Sequence, residues 1–294
     1  MTADQSKESI FEFEYSSDSV RRFEAHGFYF SVTPRFEYHY INSRGFEKVT
    51  VALFEAMLNR HSRVIDIGAH YGYYSVVAAS IAREGTVIAC EPVPFNRNIL
   101  RINIRDNELS NVIIDLGIAI SSETGIREFN IAEASDNSGF GEHPNTRVLE
   151  KINVQTLTLD ELTCKYGVKP DIIKIDAEGH ENEILDGAVR TLVRDGLILV
   201  IEFNPKCLVA AGHAPERILR RLMEQRFHIR FVNDETGVIT RVARPRDWEG
   251  LMGPREYRNF FALSGGQLPV FERICRSLKL PIKGNGILTR LLGR

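Results

Sequence analysis

Cysteine is scarce in the 294-residue chain. Its four copies (Cys90, Cys164, Cys207, Cys275) lie far apart and form no CxxC pair. That pattern offers neither a zinc ribbon nor a disulfide framework, and it fits a reduced, cytoplasmic compartment. A charge excess of one sign is lacking as well. Lys and Arg total 37 against 39 Asp and Glu, a formal charge of -2. No whole-chain basic field exists to attract nucleic acid, so no such partner is expected. Long hydrophobic runs are missing: the longest, LILVI at 197–201, falls far short of the ~20 apolar residues that a spanning helix needs. The opening residues, MTADQSKESIFEFEYSSD, are acidic and carry no apolar stretch behind a basic start, so they do not read as a secretory signal. GxSxG, HExxH and GxxxxGK[ST] are all absent, which leaves hydrolase, zinc-protease and P-loop readings without support. What is there is an ordinary globular composition, 43% hydrophobic and 26% charged.

The pattern along the chain predicts an α/β fold. Residues 1–43 are aromatic-rich and irregular, with alternation at Phe28, Phe30 and Val32 that suggests a strand or hairpin. Phe46, Val49, Leu53 and Met57 recur at helical spacing, predicting an amphipathic helix over 45–59. From residue 63 strands and helices alternate: RVIDIG, then the helix YYSVVAASIARE, GTVIACEP, the helix FNRNILRINIRDN, and NVIIDLGIAI as a third strand. Such alternation implies right-handed crossovers and a mostly parallel sheet with helices on both faces. GIREFNIA and INVQTLTL interrupt it as extra strands around a long polar loop. DIIKID, a helix over 180–196, LILVIEF and the helix PERILRRLMEQR resume it, and FHIRFVN and EYRNFFALS are predicted as an antiparallel edge. The domain boundaries expected are a cap at 1–43, a catalytic domain at 44–265 and a tail at 266–294.

The first strand-to-helix turn, VIDIGAHYGYYS at 64–75, sits where open α/β sheets bind ligands. Gly68 and Gly72 let backbone approach a ligand closely, and the helix that follows presents free N–H groups. Glu91-Pro92 ends the second strand, 19 residues past Gly72. A carboxylate there is placed to accept both hydroxyls of a ribose. A dinucleotide fingerprint wants GxGxxG for its pyrophosphate; this turn has GxxxG, with His70 in place of the middle glycine and Asp66 just upstream. Asp66 repels phosphate and pairs with ammonium, which suits S-adenosylmethionine better than NAD. The cofactor-binding set expected is Asp66, Gly68, Ala69, His70, Gly72, Tyr74, Ser75, Glu91 and Pro92, with Tyr71 and Tyr73 either lining the pocket or packing the helix.

VIDIGAHYGYYS, ACEPVPFN, LTLDEL and DIIKIDAEGHENEILDGA resemble, in order and spacing over roughly residues 60–205, the FkbM-type family of S-adenosylmethionine-dependent methyltransferases. The resemblance implies a class I methyltransferase, Rossmann-like in fold. It also implies S-adenosylmethionine as cofactor and an acceptor hydroxyl on a sugar, polyketide or other secondary metabolite. His70 stands where the family more often has Asn.

The KIDAEGHE segment gathers Lys174, Asp176, Glu178 and His180 at one strand end, beside the first strand and so beside the transferred methyl. Alternate strand residues share a face, so Lys174 and Asp176 point the same way, with Glu178 just past the end. Burying an unpaired ammonium is costly, so Lys174 is expected in an ion pair with Asp176 or Glu178. An alcohol needs a general base: His180 titrates in the right range, and Asp176 or Glu178 could take the proton or orient it. Glu181 and Glu183 read as first-turn acids favoured by the helix dipole. No metal is expected; if a divalent ion is used, Asp176 and Glu178 are its ligands. Glu202 and Asn204 end the fifth strand as acceptor contacts or caps. Asp136, Asn137, Ser138, His143 and Asn145 belong to a loop that is either a lid or plain solvated chain. Residues 271–294 carry six bases and one acid, and Phe271, Ile274, Cys275 and Leu278 form an apolar helical face. This tail suits either a solvated end or peripheral contact with an anionic membrane. The predicted reaction is O-methylation of a small-molecule or saccharide acceptor, with N-methylation left open. The alternatives are an NAD(P)-dependent oxidoreductase on a Rossmann-like fold or a non-catalytic nucleoside-binding module.

Overall fold

The structure, a computed structural model, describes residues 20–37, 45–110, 112–252 and 257–284. Arg21–Ala25 (β1) and Phe28–Val32 (β2) form an antiparallel hairpin, turned at His26-Gly27, both at positive φ. Phe30 and Val32 enter the core, and Asn103 ties the hairpin down by accepting from the Ser31 amide at 2.6 Å. The helix over 45–59 forms as Lys48–Met57 (α1). The doubly wound core follows: Arg63–Ile67 (β3), Tyr73–Ile81 (α2), Thr86–Cys90 (β4), Pro94–Asp106 (α3) and Ile113–Leu116 (β5).

Here the chain departs from the expected single strand over 111–120. Ile118–Ile120 (β6) leaves the main sheet and pairs with Val148–Leu157 (β8), which also pairs with Gly125–Ala132 (β7). The break falls at Gly117, where a Cβ would lie 2.6 Å from Arg97 Nη1. Leu159–Lys165 (α4) opens with a capping box between Thr158 and Glu161. In the same LTLDEL segment Asp160 accepts from the Arg190 and Thr191 amides at 2.8 Å. That motif therefore serves the fold.

Ile172–Ile175 (β9) returns to the main sheet. The helix expected over 180–196 is two short ones, Glu181–Asp186 (α5) and Val189–Leu192 (α6). They part at Gly187, which packs against the Ser121 carbonyl too closely for a Cβ, 2.2 Å away. Ile198–Phe203 (β10), Pro205–Ala210 (α7), Glu216–Glu224 (α8), His228–Val232 (β11), Ile239–Val242 (β12) and Arg258–Leu263 (β13) follow. Leu268–Ser277 (α9) and Ile282–Lys283 (β14) end the described chain.

The main sheet runs β14-β12-β11-β13-β10-β9-β3-β4-β5. From β10 to β5 all pairs are parallel, and β13 lies antiparallel to both β10 and β11. This is the class I methyltransferase architecture, with its antiparallel edge. Two apolar layers flank it. The hairpin, α1, α2 and α9 cover one face, with Phe30, Phe54 and Phe271 inside; Ile65, Leu199, Phe203 and Phe231 lie in the other.

The tail differs from the solvated or membrane-facing end considered above. Phe271 and Cys275 are fully buried against the core, Ile274 packs at its edge, and β14 pairs with β12. Leu278 alone of that face is exposed. Burial spends the apolar face of α9 on α1, so it is not free for lipid. Residues 285–294 lie outside the described residues. Among the described residues no helix is long and apolar enough to cross a membrane.

Candidate active site

A cavity of about 620 Å³ opens at the carboxyl ends of β3, β4, β9 and β10. It lies at the switch point where the chain runs outward from β3 in both directions, the place where open α/β sheets take ligands. Asp66, Gly68, Ala69, His70, Tyr74, Glu91, Pro92, Lys174, Asp176, Glu178 and His180 all line it. Gly72 and Ser75 do not.

Both glycines answer packing constraints inside the protein. Gly68 adopts φ +75, and a Cβ there would fall 1.8 Å from the Asp176 carbonyl oxygen. It is glycine so that the ends of β3 and β9 can meet. Gly72 adopts φ +85 and abuts Leu100, 2.2 Å from a would-be Cβ. It starts α2 and lets that helix lie on α3. Ser75 faces inward, donating to Asp66 Oδ2 at 2.6 Å.

Glu91 is 4% exposed. Its Oε2 accepts from the His70 amide at 2.8 Å, and its Oε1 accepts from the Val93 amide at 2.9 Å and Asn96 Nδ2 at 3.3 Å. A carboxylate has about four acceptor positions, so one stays open among the described residues, on the cavity wall. Burial raises the Glu91 carboxyl to about 7 against the bonds that lower it. His70 makes the turn at φ 50, a conformation that Asn and His tolerate better than most residues. Its ring accepts or donates at Ser135 Oγ, 3.0 Å away, and burial lowers it to about 4, so it is neutral.

Lys174 is 1% exposed and pairs with Asp176 at 3.1 Å, one of the two partners expected for it. Burial pulls its ammonium down, but the carboxylates of Asp176, Glu47, Glu202 and Asp66 outweigh burial and hold it above the ordinary lysine range. Its Nζ also sits 5.1 Å from the Tyr74 ring centroid, and the Tyr74 hydroxyl donates to Glu47 at 2.5 Å. Burial lifts Asp66 to about 6 and Glu47 to about 7.

Glu178 makes the turn after β9 at φ 48. The Cys207 thiol donates to its Oε2 at 3.4 Å, and His143 Nε2 lies 3.5 Å from the same oxygen. Burial raises Glu178 above the ordinary carboxylate range. His180 lines the cavity with its ring, yet both ring nitrogens are turned to protein. Arg127 donates to Ser121 Oγ at 2.8 Å, and the same oxygen is hydrogen-bonded to His180 Nε2 at 3.0 Å. The other nitrogen faces Glu183 at 3.5 Å. Burial, then Arg127 and His213, lower His180 to about 3. It is a neutral wall residue packed 4.3 Å from the Phe140 ring centroid. The first-turn acid Glu181 is buried: its Oε1 accepts from the Ala177 and Gly179 amides at 3.2 Å, holding this turn closed.

The loop over 135–146 is a cover. Ser135, Asp136, Asn137, Ser138, His143 and Asn145 line the cavity, and Ser135 Oγ meets both His70 and the Tyr71 hydroxyl at 3.0 Å. The cap closes the same side: Arg35 lies 3.7 Å from Asp136, and Phe36 packs on His70 and Tyr71. Glu202 and Asn204 line the cavity from β10. Asn204 also caps α7 by accepting from the Cys207 amide.

Sequence reasoning missed Glu47, Arg35, Phe36, Asn96 and Cys207. Only Asn96 carried a local signal, five residues past Glu91 in the ACEPVPFN segment. The others reach the site by tertiary contact.

Sheet order, switch-point cavity and carboxylate-bearing turn together define a class I methyltransferase. Residues 66–229, more than half of the chain, match the methyltransferase FkbM domain. The chain belongs to this family. It is 27% identical over 180 residues to the hexuronic acid methyltransferase AglP of Haloferax volcanii, covering 60% of this chain and 69% of that protein. Among solved structures it is similar to a methyltransferase FkbM from Methylobacillus flagellatus KT (TM-score 0.44, 17% identity). That match covers 70% of this chain but only 44% of the other. It is also similar to an O-methyltransferase from Bacillus cereus (TM-score 0.42, 14% identity, 89% and 91% covered).

Proposed function

We propose that the protein transfers the methyl group of S-adenosylmethionine to a hydroxyl of a sugar or secondary-metabolite acceptor. The observation that carries this reading is Glu91. Its carboxylate is held by three N–H donors at the end of β4, with an acceptor position open to a cavity shared with Asp176 and Glu178. A ribose hydroxyl suits that position. The charge of the walls suits the rest of the cofactor: Glu47, Asp66, Glu91, Asp136, Asp176, Glu178 and Glu202 line the cavity against the cations Lys174 and Arg35. Such walls favour a sulfonium and an ammonium and oppose a pyrophosphate, which argues against the NAD(P) alternative. The volume lies within the range of small-molecule sites, about 300–1,000 Å³.

When bound, S-adenosylmethionine would supply an electrophilic methyl on a sulfonium, with the neutral thioether as its leaving group. The protein's share is alignment, worth more here than any single functional group, and removal of the hydroxyl proton. Glu178 takes that proton: it faces the cavity, Cys207 and His143 fix one of its oxygens, and burial has made it a stronger base than an exposed carboxylate. His180 and Ser121 hold the wall behind it. The cover excludes water, and the Lys174–Asp176 pair keeps a fixed charge beside the reacting centre. A saccharide acceptor is favoured by the likeness to a relative named for a hexuronic acid.

Calorimetric titration with S-adenosylhomocysteine, with NAD as control and Glu91→Ala beside the wild type, tests the reading. Binding of S-adenosylhomocysteine by the wild type, weakened in the variant, is expected. Preference for NAD would overturn it.

A further inference from the structure

Three carboxylates converge at the acceptor end of the cavity. Asp176, Glu178 and Glu202 each place an oxygen within 4.8 Å of the other two. The protein occupies two of them: Asp176 holds Lys174, and Glu178 Oε2 holds the Cys207 thiol and faces His143. Glu202 is different. It is 9% exposed and lines the cavity, and its carboxylate makes no hydrogen bond among the described residues. A buried carboxylate without donors is costly to keep ionised unless a counter-charge joins it. Lys174 supplies one positive charge to the three acids, and Glu47 and Asp66 draw on the same ammonium.

We propose that Asp176, Glu178 and Glu202 bind a divalent cation, Mg2+ or Mn2+, which takes the acceptor hydroxyl as a further ligand. The donor set is all oxygen, as these ions prefer. A softer ion at the neighbouring trio of His143, Glu178 and Cys207 is disfavoured by the hydrogen bonds there. His143 Nδ1 accepts from the Asn145 amide at 3.1 Å, so Nε2 carries the proton toward Glu178, and the Cys207 thiol donates to the same oxygen. Both groups serve Glu178 as donors, and a metal there would have to displace both protons. A bound cation lowers the pKa of a coordinated hydroxyl, so the proton still passes to Glu178, but to a base that need not be as strong. That use of the ion rests on the methyl-transfer reading above; its binding does not.

The test uses the full chain, stripped with EDTA and titrated with MnCl2 while the free-ion electron paramagnetic resonance signal is followed. The affinity for S-adenosylhomocysteine is measured calorimetrically on the same samples. Saturable binding is expected in the wild type, weakened about tenfold or more by Glu202→Gln and by Asp176→Asn, a larger loss than either variant shows toward S-adenosylhomocysteine. Mn2+ binding that survives Glu202→Gln overturns the proposal, because the ion then sits elsewhere. Absence of saturable binding by both Mn2+ and Mg2+, with and without S-adenosylhomocysteine, also overturns it. If Glu202→Gln fails to fold, paramagnetic broadening of the protons of bound S-adenosylhomocysteine in the wild type decides: broadened lines support a site beside the cofactor, and sharp lines overturn it. Mn2+ binding without S-adenosylhomocysteine binding would sink the methyl-transfer reading and leave the ion site standing.

Discussion

Two constraints coincide at Gly68: a positive φ and a backbone carbonyl where a Cβ would stand. A carbonyl oxygen cannot swing aside, so Gly68→Ala should cost at least about 3 kcal/mol. Gly72→Ala meets only the end of the Leu100 side chain and should cost about 1–2 kcal/mol, chiefly for its backbone conformation. Pairing it with Leu100→Ala should then give a sub-additive loss, measurable by denaturant unfolding. At Glu178 the expectation is kinetic. Glu178→Gln should lower kcat by about two to four orders of magnitude while leaving S-adenosylhomocysteine affinity nearly intact. Because burial raises this carboxyl, kcat should climb with pH as it ionises, and the variant should lose that limb. His180→Ala should instead lower stability more than it alters the pH profile, since its nitrogens serve Ser121 and face Glu183. The residues legible in advance, from Asp66 to Glu91 and from Lys174 to His180, sit at strand ends where alternation and turn chemistry locate them. Glu47 was not legible because its partner, Tyr74, lies 27 residues away on another helix.

At the scale of elements, local pattern located the strands and helices better than it located their breaks. Gly187 parts two helices where a side chain would strike the Ser121 carbonyl, a neighbour that no window of sequence contains. The same holds for α9, whose basic composition suggests an end in solvent while Phe271 sits fully buried beside Phe261. Phe271→Ala should therefore destabilise the protein by about 3–5 kcal/mol, seen as a lowered Tm. The cover should respond differently. Ser135→Ala removes the link to His70 and Tyr71, bonds worth about 1 kcal/mol each. KM for S-adenosylmethionine should rise several-fold with little change in Tm.

The whole molecule carries its buried carboxyls as a group. Asp66 rises to about 6, Glu47 and Glu91 to about 7, and Glu181 to about 8, each chiefly through burial. Between the ordinary carboxylate range and these values the folded chain holds protons that the unfolded chain has released, so stability falls as pH rises. The buried His70 and His180, lowered to about 4 and 3, act in the opposite sense until roughly pH 6.5, where unfolded histidine also loses its charge. Scanning calorimetry should thus show Tm falling between roughly pH 6.5 and 8. S-adenosylmethionine, with its sulfonium charge, should recover more of that loss than S-adenosylhomocysteine does. The doubly wound half was legible as a whole because each of its strands is a short apolar run. The second sheet was not, since it rests on pairing Ile118 with Gln155, far away in the sequence. That sheet has a consequence for ancestry. The excursion from β6 to β8 leaves and rejoins the main sheet on either side of one insertion, and it carries the cover but not Glu91 or Lys174. A lineage can rewrite what it methylates by altering that insertion while inheriting the cofactor half unchanged, so diversification in such proteins should concentrate between residues 118 and 157.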